Sequence, residues 1–365
     1  MPQIDICGLR LRNQHLLTQT VGTASEMVRI LGAVQAQDYG PAKWGLGQRT
    51  RGVTDADVEK EISEGAILRT HVLRPTWHFV SPADIRWLLA LTGPRVKAAL
   101  ASYDRKLGLD AAVLRKSRTV LTKALRNGKQ LTRAELAQAL TKAGVRADGT
   151  QRLAHLVMHS ELDGLICSGA RRGKQFTYAL LDERVPPTKA LERDASLHAL
   201  ATSYFATRGP ATEDDFAWWS GLTKGDAKRA AHSAESSLES ETIGGRRYWF
   251  KSMTRAGKQK SPLARLLPNY DEFFIGLKDR SAIQGKLDAV GLKESLSFLR
   301  GHIATIDGQI VGGWKRVDKG NSVIVDLQPL TRLSESDRHA ISREVERLGA
   351  FLELPVSLIL RDLPS

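Results

Sequence analysis

One local grammar recurs along this chain and limits what it can build: helical segments followed by a basic two-strand hairpin. It is clearest in the middle of the sequence. Residues 114–126 are helical by apolar period, and Thr132-Arg133-Ala134-Glu135 is a capping box, hydroxyl and carboxylate satisfying reciprocal backbone donors. The box opens a helix over 133–143, which Gly144 closes, and 150–161 reads as a third helix. Residues 164–167 and 175–180 then read as strands about a basic tip, 169–174, that carries Arg171 and Arg172. Helix-turn-helix plus such a hairpin is the winged-helix pattern, whose wing can touch a nucleic-acid backbone.

Two further stretches follow the same order. In the first, Thr23-Ala24-Ser25-Glu26 opens a helix with Met27, Ile30, Leu31 and Val34 on one face. A second helix spans 55–64, strands at 69–72 and 76–80 flank Arg74-Pro75, and Ser81-Pro82-Ala83-Asp84 starts another helix. In the third, after Pro186-Pro187, helices at 191–207, 212–220 and 224–236 lead to strands at 238–243 and 246–250. Their turn is Gly244-Gly245, and Arg246 and Arg247 follow it. The spacing is too uneven for a solenoid. Residues 251–260 read as a basic, mobile connector. Beyond them, alternating strands at 301–306, 309–316 and 322–327, a helix at 334–348 and a strand at 356–360 make a small β-rich domain. The expected architecture is therefore α+β, with three tandem winged-helix domains over 1–110, 111–187 and 188–260. A C-terminal β-barrel-like domain over 261–365 completes it.

Charge points to a polyanion. Lys and Arg number 54 against 40 Asp and Glu, a net charge of +14, and the excess is spread along the chain rather than packed into a tail. Distributed basicity suits a folded surface that follows phosphates, with affinity falling as salt rises. No apolar run approaches membrane-spanning length, and the N-terminal residues lack a signal-type apolar core. The expected location is the cytoplasm, associated with the nucleoid. Cys7 and Cys167 are the only cysteines, which leaves no disulfide scaffold and no multi-cysteine zinc site.

Familiar catalytic signatures are missing from the sequence. There is no phosphate-binding Walker loop, no dinucleotide glycine fingerprint and no G-x-S-x-G turn. His155 and His159 share a helical face, but Leu156 stands where a zinc protease needs Glu, so both read as structural or DNA-facing. Gly45-Leu46-Gly47 and Gly312-Gly313 read as turns or close packing. Among Trp77, Trp218, Trp219, Trp249 and Trp314, most belong to the core and one or two are free to stack on a base. That leaves Gln35 and Gln37. In a helix, residues two apart diverge by roughly 200°, whereas in an extended run they share a side. Gly32 weakens the helix before them and Gly40-Pro41 blocks its continuation, so the helix should end near Val34 with both amides facing one way. By pattern alone, a polar helix end with solvated glutamines is the better reading.

The segment Leu31-Gly32-Ala33-Val34-Gln35-Ala36-Gln37-Asp38-Tyr39 resembles the catalytic segment of the AlkZ-like DNA glycosylases, whose signature is Gln, a small or apolar residue, then Gln or Asp. Arg74-Pro75-Thr76-Trp77-His78 is similar to a second family block. Leu266 to Phe273, with Lys278-Asp279-Arg280, resembles a third, and Val311 to Arg316 a fourth. The family's fold is three tandem winged helices and a C-terminal β-barrel. The resemblance implies monofunctional excision of N7-alkylguanine adducts, bulky monoadducts or interstrand crosslinks, from double-stranded DNA. It makes Gln35 and Gln37 the catalytic pair. Gln in the second place looks like the branch tied to self-resistance against DNA-alkylating natural products, where the housekeeping branch tends to carry Asp.

The chemistry is coherent. A cationic N7-alkylated guanine leaves as a neutral base with little acid help, and the remaining task is to place water beside C1′. An amide is no general base, but its carbonyl can accept from water and orient it. The expected DNA contacts are Arg171, Arg172, Arg246 and Arg247 on phosphates, Lys315, Arg316 and Lys319 on a hairpin entering a groove, and His78 lining the site. A packed His78 is the bland alternative. Neither metal nor cofactor is expected, and the enzyme is expected to be monomeric. The competing reading is a non-catalytic winged-helix transcriptional regulator; a metal-dependent nuclease fits poorly for want of a carboxylate cluster.

Overall fold

The protein is described from a computed structural model, over residues 4–188, 190–251, 261–288 and 301–363. Three successive units share one connectivity: helix, short strand, helix, helix, then a two-stranded hairpin. In the first, helix Ala24–Leu31 is followed by strand Val34–Gln35, helices Tyr39–Gly47 and Asp55–Glu64, and strands Leu68–Val72 and Arg74–Val80. The short strand pairs antiparallel with the last one, and the sheet order is Val34–Gln35, Arg74–Val80, Leu68–Val72. The second unit repeats this with helix Ala111–Leu125, strand Leu131–Thr132, helices Arg133–Lys142 and Thr150–Leu162, and strands Ile166–Ser168 and Thr177–Leu180. In the third, the short strand shrinks to one bridge, Ala211 to Trp249, between helix Arg193–Arg208 and helices Glu213–Ser220 and Lys224–Ser233. Its hairpin joins Glu239–Ile243 to Arg246–Phe250 through two glycines of positive φ.

Local chemistry sets these boundaries. Capping boxes at Thr54–Asp57, Thr132–Glu135 and Thr212–Asp215 open the second helix of a pair or its predecessor, each with both reciprocal bonds made. Thr23 caps its helix but not as a box: Glu61, from a neighbouring helix, takes the N–H groups of Ala24 and Ser25 instead. That helix ends at Leu31, three residues before the expected point, because Gly32 turns out at φ 75°. Gly40-Pro41 does not keep the following segment out of a helix. Tyr39–Gly47 is helical, with Pro41 in the first turn, where its missing N–H is no loss. Two further helices went unanticipated in length or existence: Ile85–Lys106 runs 22 residues through Pro94, and Ile6–Asn13 precedes the first unit.

The C-terminal β-barrel-like expectation is corrected. The sheet is an open one of five strands, ordered Val356–Leu360, Val323–Pro329, Gln309–Asp318, His302–Ile306, Ala264–Leu267. Among the described residues its two outer strands do not meet. Closure is unnecessary because helix Glu335–Leu352 covers one face, placing Ile341, Val345, Leu348 and Phe351 in one cluster with Leu266, Val325 and Leu327. The basic connector expected at 251–260 lies, from residue 252, outside the described residues. Gly45, Gly47 and Gly312 sit in close packing rather than turns: a Cβ on Gly47 would lie 2.5 Å from the Phe351 ring, and one on Gly312 2.4 Å from the Gln328 carbonyl.

The cores knit the units together. Val34, Ala36 and Phe79 join the C-terminal cluster just named, while Ala33, Leu68 and Val80 join Leu200, Tyr204, Phe216, Trp219 and Trp249 of the third unit. The strand bearing Gln35 thus lies between two buried clusters.

Candidate active site and nucleic-acid interface

Strand periodicity sorts the site. Register pairs Gln35 with His78 and His78 with Thr70 across the first sheet. Residues at two-residue spacing share a face, so Gln35, Arg74, Thr76, His78 and Thr70 lie on one side. Val34, Ala36, Arg69, His71, Trp77 and Phe79 lie on the other. The extended run continues past the strand, since Ala36 N–H donates to the Trp77 carbonyl at 2.7 Å. Gln37 lies one residue further on, in the bend that leads into helix Tyr39–Gly47, so neither glutamine is in a helix. Gln35 is 5% exposed, and Gln37 is exposed.

Both amides are oriented. Arg74 Nη2 donates to Gln35 Oε1 at 2.6 Å, and the Trp77 N–H reaches Gln37 Oε1 at 3.4 Å. A guanidinium and a backbone N–H can only donate, so the atom facing each is the carbonyl oxygen. Each oxygen keeps a second lone pair.

The backbone of Gln35 is anchored harder than its side chain. Its N–H donates to Glu272 Oε1 at 2.7 Å. The other oxygen of Glu272 takes Arg208 Nη2 at 2.6 Å, Arg208 Nε at 3.0 Å and Trp219 Nε1 at 2.9 Å. Arg208 in turn donates to the carbonyls of Leu31 and Ala33. The Arg208–Glu272 pair is wholly buried, at 0% and 1% exposure, and clamps the chain from Leu31 to Gln35. His78 is also wholly buried. Its Nδ1 donates to the Thr76 carbonyl at 2.9 Å, leaving Nε2 as a buried acceptor without a partner. Burial and the neighbouring Arg74 charge hold its pKa well below the ordinary histidine value, so the ring is neutral. It sits buried beside Gln35, its cross-strand partner, rather than facing solvent.

The opposite face carries an arginine–aromatic stack. Arg69 lies 4.3 Å from the Trp77 ring centre and 4.7 Å from that of Phe176, and its Nε donates to the Ala36 carbonyl. Arg171 lies over Tyr39 and Phe176 and contacts Glu59 at 3.3 Å. Asp38 caps the helix after Gln37 without a side-chain cap bond; its carboxylate instead accepts from Asn269 Nδ2 at 2.7 Å. The Asn269 N–H donates to His302 Nδ1, and the His302 ring packs at a tilt against Trp314. A cleft of about 380 Å³ opens there, lined by His302, Trp314, Lys315, Asp326, Gln328 and Arg361.

The remaining basic residues are placed as follows. Arg172 is exposed at its hairpin tip and pairs with Glu135 at 2.8 Å. Arg246 pairs with Asp279, and Arg247 pairs with Glu235 at 2.7 Å while lying 3.9 Å from the Trp249 ring centre. Arg316 pairs with Asp318; Lys315 and Lys319 are exposed on the hairpin that joins strand Gln309–Asp318 to strand Val323–Pro329, where the residues from Lys315 to Gly320 are exposed. Exposed pairs of this kind are weakly held and readily exchanged for another anion. Of the tryptophans, Trp219, Trp249 and Trp314 are core, Trp77 is half-buried and Trp218 is 43% exposed. His155 and His159 both bond Asp104, at 2.8 and 2.9 Å. No group of three or more potential metal ligands occurs among the described residues. Cys7 and Cys167 are buried, which pushes their thiols up to about 11 and about 12.

Sequence reading gave no role to Glu272, Arg208 or Arg74, although Glu272 and Arg74 lie in quoted blocks. Nothing local marks Arg208; its partner is 64 residues away.

Comparison with known proteins fixes the class. Residues 28–351 match the family described as DNA glycosylase AlkZ-like, so the protein is a DNA glycosylase, an enzyme of DNA repair rather than a bare regulator. The chain belongs to the AlkZ-like family. An interstrand DNA cross-link repair glycosylase of Streptomyces sahachiroi is 24% identical, over 97% of this chain and 98% of its own length. The structure of Streptomyces sahachiroi DNA glycosylase AlkZ has the same fold: TM-score 0.77, 21% identity, covering 97% of this chain and 98% of that one. Among the described residues, no helix is long and apolar enough to cross a membrane.

Proposed function

We propose that this enzyme is a monofunctional glycosylase that hydrolyses the glycosidic bond of N7-alkylguanine in double-stranded DNA, including guanines joined in interstrand crosslinks. The reading rests on one observation above the rest: Gln35 and Gln37 stand two residues apart at the end of a strand and outside any helix, their carbonyls oriented by Arg74 and the Trp77 N–H. The C1′–N9 electron pair goes to the purine and cancels its positive charge. Water bonds C1′, and its surplus proton leaves to solvent. Each amide carbonyl retains a lone pair to accept from that water and aim it. The relative from Streptomyces sahachiroi, named for interstrand cross-link repair, supports the crosslink part of the reading.

The three repeated units act as tandem winged helices over 1–110, 111–187 and 188–260, with the sheet domain after them, in a monomer associated with the nucleoid. Arg171, Arg172, Arg246 and Arg247 hold phosphates, and the hairpin with Lys315, Arg316 and Lys319 enters a groove beside the lesion. His78 lines the buried side of the site next to Gln35, its cross-strand partner. The test is release of free base from N7-methylated and crosslinked duplexes, leaving an abasic site. Gln35→Ala and Gln37→Ala should each lose roughly 100-fold in release while still binding DNA. Wild-type protein that binds these duplexes and frees no base would sink the reading.

A further inference from the structure

We propose that Arg74 is a DNA-phosphate site built into the catalytic strands, and that a phosphodiester beside the lesion is its missing counter-ion. The inference rests on Gln35 marking the reaction centre. Arg74 is half-buried on strand Arg74–Val80, yet no carboxylate lies within ion-pair reach of it among the described residues. Glu272, the acid it feels most, is already occupied by Arg208, Trp219 and the Gln35 N–H. Arg208 and Arg280 add like charge. Arg74 Nε is buried with no partner, and Nη2 goes to an uncharged amide. A guanidinium withdrawn from water without an anion is unfavourable unless something supplies that anion.

The surroundings say what kind of anion. Trp218 is 43% exposed, its Nε1 is fixed on the Ile275 carbonyl at 3.1 Å, and Arg74 lies 5.8 Å from its ring centre. The helix bearing it docks closely on the strand turn, since a Cβ on Gly221 would lie 2.3 Å from the Leu73 carbonyl. A fixed cation beside an open apolar face matches a phosphate followed by a deoxyribose. One end of Arg74 then holds the backbone while the other holds Gln35, which ties lesion position to amide orientation.

Affinity for a duplex carrying a tetrahydrofuran abasic site, measured against salt, tests this without requiring base release. Arg74→Gln keeps a donor for Gln35 and removes the charge; the slope of log K against log salt should shrink by about 0.9. Arg74→Lys should keep the wild-type slope. An unchanged slope in Arg74→Gln, or an equal loss in Arg74→Lys, overturns the proposal. Neutral methylphosphonates placed singly around the abasic site give a second measurement on unaltered protein: one position should weaken binding severalfold, and no sensitive position near the site overturns the proposal. Failure of base release with an Arg74-dependent slope would instead remove the glycosylase reading and leave the phosphate site standing.

Discussion

At the scale of single residues, the site depends on which hydrogen-bonding capacities are already used. Arg74 takes one lone pair of Gln35 and leaves the other, so in the proposed reaction the amide serves as an aimed acceptor and not as a base. A carboxylate in the second place would add negative potential as the sugar becomes cationic. Gln37→Asp should therefore retain N7-methylguanine release within about tenfold, where Gln37→Ala loses roughly 100-fold; product chromatography decides it. His78 carries a different prediction. Its folded pKa lies below its unfolded value, so the unfolded chain binds more protons as pH falls. The stability this histidine supports is full above about pH 6.5 and declines below it, by up to about 1.4 kcal/mol per pH unit. Urea unfolding at pH 7.5 and 5.5 should show a shallower pH dependence in His78→Gln than in the wild type.

At the scale of elements, the two-residue strand Val34–Gln35 is too short to hold itself, and the buried Arg208–Glu272 pair holds it instead. Glu272→Ala leaves Arg208 buried without its anion and should cost about 3–5 kcal/mol in chemical denaturation, along with base release. Gly221→Ala meets both a left-handed φ of 69° and the Leu73 carbonyl, so it should destabilise by about 1–3 kcal/mol. Much of this level was legible in sequence. Asp55–Glu64 and Val356–Leu360 match their expected bounds, because a capping box with a following glycine, and a turn-bounded alternating run, are local signals. The short strand was legible only by comparing units. Leu131–Thr132 and Ala211–Thr212 hold the equivalent place before a capped helix, and that comparison would have announced both the strand at Gln35 and the helix at Tyr39–Gly47.

At the scale of the molecule, a few buried polar ties decide how the units meet. Arg49 forms a two-pronged pair with Asp271, both oxygens at 2.8 Å, across 222 residues, and also reaches Gln14. Asp271 precedes Glu272, so this tie and the strand clamp are one assembly. Asp271→Ala should lower stability by about 3–5 kcal/mol and loosen the site at a distance, seen as reduced base release at temperatures where the fold persists. Short-range signals carry the repeated helical units with their basic hairpins, the net positive charge, and the break in the helix before Gln35. Only the tertiary arrangement leaves the C-terminal sheet open under helix Glu335–Leu352, buries His78, and brings Glu272, Arg208 and Arg74 together to fix Gln35. The reason is physical. Caps, turns and periodicity act within a few residues, whereas a buried charge is tolerated only where a partner from a distant part of the chain arrives to meet it.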